Sequence, residues 1–161
     1  MKRIIRNLLV FLMTALLAVG FVGCAGNDGG NSANNVNSGN IEKKLYYQVF
    51  STQEEGKTVR VEITIVSLDG KYTLADIMEK AQEKHSITYE SSSGMITSIN
   101  GTANAADFSG CWMLYTSDTE MANNAWGAIT IGGQTFGSAI VGAEALEVME
   151  DQIYVWEYTT F

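Results

Sequence analysis

Aromatic rings are the side chains of this chain best suited to recognition, and they crowd its last third: Trp112, Tyr115, Trp126, Phe136, Tyr154, Trp156 and Tyr158. Core packing accounts for most rings of this kind. A strand cannot point every side chain inward, however, and Trp126 falls in a glycine-rich stretch. Rings on loops or on an open sheet surface are what a flat organic molecule or a sugar stacks on. Trp112, Trp126 and Phe136 are therefore the expected ligand contacts. Catalysis has less to draw on. There is no Gly-x-Ser-x-Gly elbow, phosphate loop or His-x-x-x-His pair, and His85 is the single histidine. The carboxylates follow no pattern beyond solvated surface charge, so no catalytic residue and no cofactor are expected. Asp118, Glu120, Asn123 and Asn124 form an oxygen-rich stretch that could hold Ca²⁺, but its spacing matches no EF-hand and it reads as a polar turn. No metal site is expected. A net charge of -8, from 10 basic against 18 acidic side chains, disfavours nucleic acid as a partner.

The two cysteines divide between an attachment point and a strand. Cys111 precedes Trp112 in an apolar run, where a buried, inert thiol is expected, with a disulfide to another molecule as the alternative. Cys24 ends a different pattern. Lys2, Arg3 and Arg6 give a basic start, the run from Leu8 to Val22 is strongly apolar, and small residues close it. Phe21-Val22-Gly23-Cys24 resembles the lipobox of bacterial lipoproteins, although Phe21 stands where leucine is usual. The resemblance implies that the chain is cut before Cys24 and that this cysteine is diacylated. An uncleaved anchor is the competing reading, but 15 apolar residues fall short of the roughly 20 that span a bilayer as a helix. A plain secretory signal with an incidental cysteine is another. Ala25 to Asn40 then holds 6 Asn, 4 Gly and 2 Ser, too little apolar surface to offset its ordering entropy. The expected organisation is a signal peptide over 1–23, a lipidated Cys24 with a polar tether over 24–40, and one domain over 41–161. Once Lys2, Arg3 and Arg6 leave with the signal, 7 basic side chains face 18 acidic ones. Such a domain is repelled by anionic lipid and held to the membrane by its acyl chains.

The elements that must position the rings follow from periodicity. Leu45 to Phe50 reads as a strand, and Val59, Val61, Ile63 and Ile65 alternate with polar residues after the Glu54-Glu55-Gly56-Lys57 turn, so the two make a hairpin. Leu74, Ile77, Met78 and Ala81 then fall on one face of a helix, with Thr73 and Asp76 as an N-terminal capping pair and His85 at its end, where an imidazole suits the helix dipole. Shorter strands are expected over 87–90, 95–99, 111–116, 128–131 and 152–158, with Asn100-Gly101 as a turn. Hairpin, helix, then strands is an α+β plan. In the order ββαββ…β it points to a β-grasp-like mixed sheet with one main helix packed across one face. The last strand would then pair parallel to the first.

Thr73-Leu74-Ala75-Asp76, Ile96-Thr97-Ser98-Ile99-Asn100-Gly101, Trp112-Met113-Leu114-Tyr115 and Tyr154-Val155-Trp156-Glu157-Tyr158 stand in a known order. Together they resemble the transcobalamin-like C-terminal domain family, a bacterial domain of unknown function related to β-grasp domains that bind soluble ligands. The family often has Val-Asn-Gly where Thr116-Ser117-Asp118 stands, and Gly-Asp where Glu150-Asp151-Gln152 does. Fold transfers further than ligand across such a likeness. The resemblance implies a small-molecule ligand, with cobalamin or another corrinoid as candidate, handed on to a transporter or surface partner. The expected protein is a lipid-anchored, extracytoplasmic binding module on a bacterial envelope. The alternative is a cell-surface module that binds protein or glycan and no small molecule.

Overall fold

The computed structural model describes residues 43–161. The expected signal peptide, lipidated Cys24 and tether lie outside the described residues. Strands β1 (Tyr46–Glu54) and β2 (Lys57–Ser67) form the expected antiparallel hairpin. Glu55 and Gly56 turn it with φ of 50° and 79°, the left-handed pair whose twist matches that of the flanking strands. Val61, Ile63 and Ile65 are fully buried, as their alternation requires.

Helix α1 (Leu74–Glu83) buries Leu74, Ile77, Met78 and Ala81 in the same core as those three β2 residues. Thr73 Oγ1 accepts the Asp76 N–H, and the Asp76 carboxylate accepts the Thr73 N–H at 2.7 Å, closing a capping box. At the other end His85 takes φ 58°. Its N–H reaches the Gln82 carbonyl at 2.9 Å, and the Ser86 N–H reaches Ala81 at 2.8 Å. This is a Schellman ending with histidine in the place glycine usually fills.

Strands β3 (Tyr89–Ser92), β4 (Met95–Ile99) and β5 (Thr102–Ala103) make a small antiparallel sheet, turned at Ser93-Gly94 and Asn100-Gly101. The remaining strands β6 (Gly110–Thr116), β7 (Ala122–Ile131), β8 (Gln134–Ala139) and β9 (Ile153–Thr160) join β1 and β2 in a six-stranded sheet of order β1-β2-β9-β6-β8-β7. Every neighbouring pair in it is antiparallel.

This overturns the expected α+β, β-grasp-like plan. The described residues are mostly antiparallel sheet with one ten-residue helix. Strand β9 is interior, but it lies between β2 and β6, antiparallel to both, and does not pair with β1. Alternation along a strand encodes which face is buried, not which strand lies beside it or in which direction. Here Arg60 stands opposite Glu157 and Val61 opposite Trp156. The Arg60 Nε and Nη2 donate to the two carboxylate oxygens of Glu157, so an ion pair and an apolar pair fix one register.

The β7–β8 hairpin is the other departure. Its composition is glycine-rich, and the sequence reading gives no strand to Gln134–Ala139. Gly132 and Gly133 turn it at φ 58° and 88°. At Gly137 a Cβ would collide with the Asn124 side chain and lie 2.9 Å from the Ala122 Cβ, so the start of β7 closes on β8 only because that position is bare.

Candidate functional site

Register places the rings. Trp112 stands opposite Tyr158 and Leu114 opposite Trp156 across the β6–β9 pair, so all four share the face of Val61 and Tyr154. Trp112 Nε1 donates to the Thr102 carbonyl at 2.8 Å, and its ring meets Tyr158 edge-on at 5.6 Å. The indole is thereby fixed in orientation. Trp156 is equally buried, at 5% exposure, yet its Nε1 is enclosed with no hydrogen-bond partner.

β6 pairs β9 along its whole length but β8 only at Tyr115 and Thr116. Its outer edge therefore carries no strand over residues 110–114. Asn104 closes part of that edge. Its Oδ1 accepts the Trp112 N–H at 2.9 Å, its Nδ2 donates to the Ile96 carbonyl at 2.9 Å, and its own N–H donates to Thr97 at 2.8 Å. One side chain thus ties the small sheet to the large one. Beyond it lies a groove of about 350 Å³, walled by Trp112 and Trp156, with Met95 and Phe108 also lining it. That is the size of a small organic-ligand pocket, and the lining is almost wholly apolar.

Two features mark the groove. Gly94 and Gly142 line it together, and a Cβ at Gly142 would lie 3.6 Å from the Gly94 carbonyl oxygen. Two backbones, rather than two side chains, meet there. Phe108 is 67% exposed and Met95 60% exposed. Phe108 has φ 58°, an uncommon conformation for a bulky residue. It is held by the Phe108 N–H bond to Ala105 and by Asp107, whose Oδ1 accepts both the N–H and the hydroxyl of Ser109. Those bonds also hold the Asp107 carboxyl below its ordinary pKa. A large ring is thus kept in water by a strained turn, the reverse of what burial alone favours.

The three expected contacts do not form one site. Trp112 lines the groove. Phe136, 2% exposed, packs with Tyr115 and Val155 in a separate cluster on the opposite face of the sheet. Trp126 is 64% exposed on β7, inside the bulge between Asn123 and Ala128. Cys111 is half-buried rather than buried. It lines the groove, with its Sγ 3.8 Å from the Met113 sulfur. In the oxygen-rich stretch, Asp118 Oδ1 accepts the Glu120 N–H and Asn123 Oδ1 accepts the Ala125 N–H, each at about 3 Å. Those oxygens form turns. Among the described residues no group of three or more His, Cys, Asp or Glu is placed to hold a metal ion.

Met95, Phe108, Asn104 and the two glycines escape the sequence reading. Phe108 alone carries a signal that could have found it, being a lone large ring within the polar run Asp107-Phe108-Ser109-Gly110. No curated protein and no solved structure matches the chain. A domain of unknown function (DUF4430) is found over residues 72–134, a span that holds Met95, Asn104, Phe108 and Trp112 but ends before Gly142 and Trp156.

Proposed function

We propose that the protein is a non-catalytic binding lipoprotein, anchored through a lipidated Cys24 on the extracytoplasmic side of the membrane, whose groove beside β6 captures a small, flat, largely apolar molecule. The observation that carries this reading is the exposed pair Met95 and Phe108 beside the fixed indole of Trp112, around an apolar hollow at an unpaired strand edge. Apolar side chains left open together around a hollow, with few polar groups among them, are what a small-molecule site presents. The basic start, apolar run and Cys24 support the anchor, and the polar stretch to Asn40 supports a tether that lifts the domain clear of the headgroups.

The likeness of the Trp112-Met113-Leu114-Tyr115 and Tyr154-Val155-Trp156-Glu157-Tyr158 runs to transcobalamin-like C-terminal domains supports a corrinoid as one candidate. A hollow of about 350 Å³ cannot enclose a corrin, which would have to lie across the mouth against Phe108. A transporter or surface partner would receive the ligand.

Calorimetric titration of the full chain with cobalamin and with smaller flat aromatics tests the binding reading. Saturable heat with at least one of them is expected, and its loss in Phe108→Ala places the site. No heat from any of them at high micromolar concentration contradicts it. Cys24→Ser is expected to release the protein from membranes, and full retention would contradict the lipid anchor. A second reading, a protein- or glycan-binding surface with no small ligand, draws on Tyr46 and Phe50, 53% and 60% exposed on the edge strand β1. Under it, Phe50→Ala and not Phe108→Ala would abolish attachment to a partner surface.

A further inference from the structure

Among the described residues the lysines and arginines are confined to one part of the chain. Every lysine and arginine among the described residues lies between Lys43 and Lys84, whereas residues 86–161 hold nine carboxylates and no lysine or arginine. All of the groove lining comes from that second part, between Gly94 and Trp156. Two of those carboxylates belong to residues that neighbour the groove's lining. Glu144 is exposed, and its Oε2 lies 3.4 Å from where a Cβ on the groove residue Gly94 would be. Asp107 precedes the exposed Phe108, and its carboxylate is held in place by Ser109. Among the described residues three basic side chains reach this part and each is paired away from the groove, Lys43 with Glu150, Lys71 with Glu147 and Arg60 with Glu157.

We infer that the groove selects for positive charge, and that its ligand is a flat aromatic cation, with the ring system in the apolar hollow and the cationic group at the rim between Glu144 and Asp107. This rests on the binding reading above and names the chemical class of its ligand. An anion of the same shape would bring its charge within a Debye length of two carboxylates, and no lysine or arginine lines the groove to offset them. A cation gains the same field and can also lie against the faces of Phe108 and Trp112. The selection is expected to be moderate because the rim is wet. A few-fold preference over a neutral isostere, and about tenfold or more over an anion, is the scale for charges near a protein surface.

Three probes of matched shape test this: 1-naphthylmethylammonium, 1-naphthalenemethanol and 1-naphthoate. Each is titrated calorimetrically into the full chain in phosphatidylcholine nanodiscs, with the heat of empty discs subtracted. The cation is expected to bind tightest and the anion weakest, with the spread shrinking several-fold at high salt. Glu144→Gln is expected to narrow the spread while leaving the affinity for the neutral alcohol unchanged. Equal affinity for all three, or tightest binding of the anion, overturns the charge selection and leaves the groove reading intact. No binding of any probe overturns both. A spread unmoved by salt and by Glu144→Gln also overturns the inference, since the preference would not then arise at this rim.

Discussion

Beneath helix α1, Val61, Ile63, Ile65, Leu74, Ile77 and Met78 are fully buried, and the helix ends are closed by Thr73, Asp76 and His85. Beside β6 the same sheet does the opposite: Met95 and Phe108 stand in water, the Trp156 Nε1 is enclosed without a partner, and Phe108 is held at positive φ. In the first region sequence pattern and burial agree, which is how a chain specifies one structure, with His85 at φ 58° and the enclosed, unpartnered Tyr47 hydroxyl as its exceptions. In the second, three local rules are broken within one groove. Each violation costs stability, and a binding role gives them a common reason.

The contrast is broken most severely by emptying the closed region. Ile63→Ala or Ile77→Ala removes a fully buried side chain and should cost about 2–5 kcal/mol in urea unfolding. Ligand affinity of the fraction that remains folded should stay unchanged. A parallel loss of affinity would show that the two regions are not separable.

The two buried indoles sharpen it next. Trp112→Phe strands the Thr102 carbonyl that Trp112 Nε1 now serves, at a cost of about 1–3 kcal/mol beyond the lost ring area. Trp156→Phe removes an N–H that serves nothing, so its cost should be smaller by about 1 kcal/mol or more. Equal costs by chemical denaturation would mean that Trp156 Nε1 has a partner in solution.

The helix start contributes less. Thr73→Ala should cost about 1 kcal/mol by removing the cap. The Asp76 carboxyl is held below its ordinary pKa by the hydrogen bonds from the Thr73 N–H and hydroxyl. A group lowered on folding stabilises above its unfolded pKa, and that contribution is lost as pH falls through the folded value. Asp76→Asn should therefore flatten the acid limb of the stability profile, and an unchanged limb would contradict the capping role. The smallest effect is a gain. His85→Gly relieves a non-glycine residue at φ 58° and should stabilise by about 1 kcal/mol or less, measurable as a rise in Tm.

Local pattern carried the closed region well. The alternation of Val61, Ile63 and Ile65 and the helical spacing of Leu74, Ile77, Met78 and Ala81 each encode a face, and those faces are buried. Asn100-Gly101 was legible as a turn because both residues tolerate positive φ. Pairing direction was not, since nothing in Tyr154-Val155-Trp156 says that β2 and β6 flank it antiparallel. The groove was legible only through Trp112. Gly94 and Gly142 meet across 48 positions of chain, a contact no local period records. Phe136 and Trp112 are both expected ligand contacts from sequence, and register sets them on opposite faces of the sheet.

The role of the groove turns on whether the ring held out in water serves a ligand. Its most direct test is the affinity of 1-naphthylmethylammonium for the full chain and for Phe108→Ala, with unfolding of both followed in urea. An exposed ring contributes little to folding, so stability should hold or rise slightly, while affinity should fall by about tenfold or more. Unchanged affinity with unchanged stability would contradict a binding role for the groove beside β6.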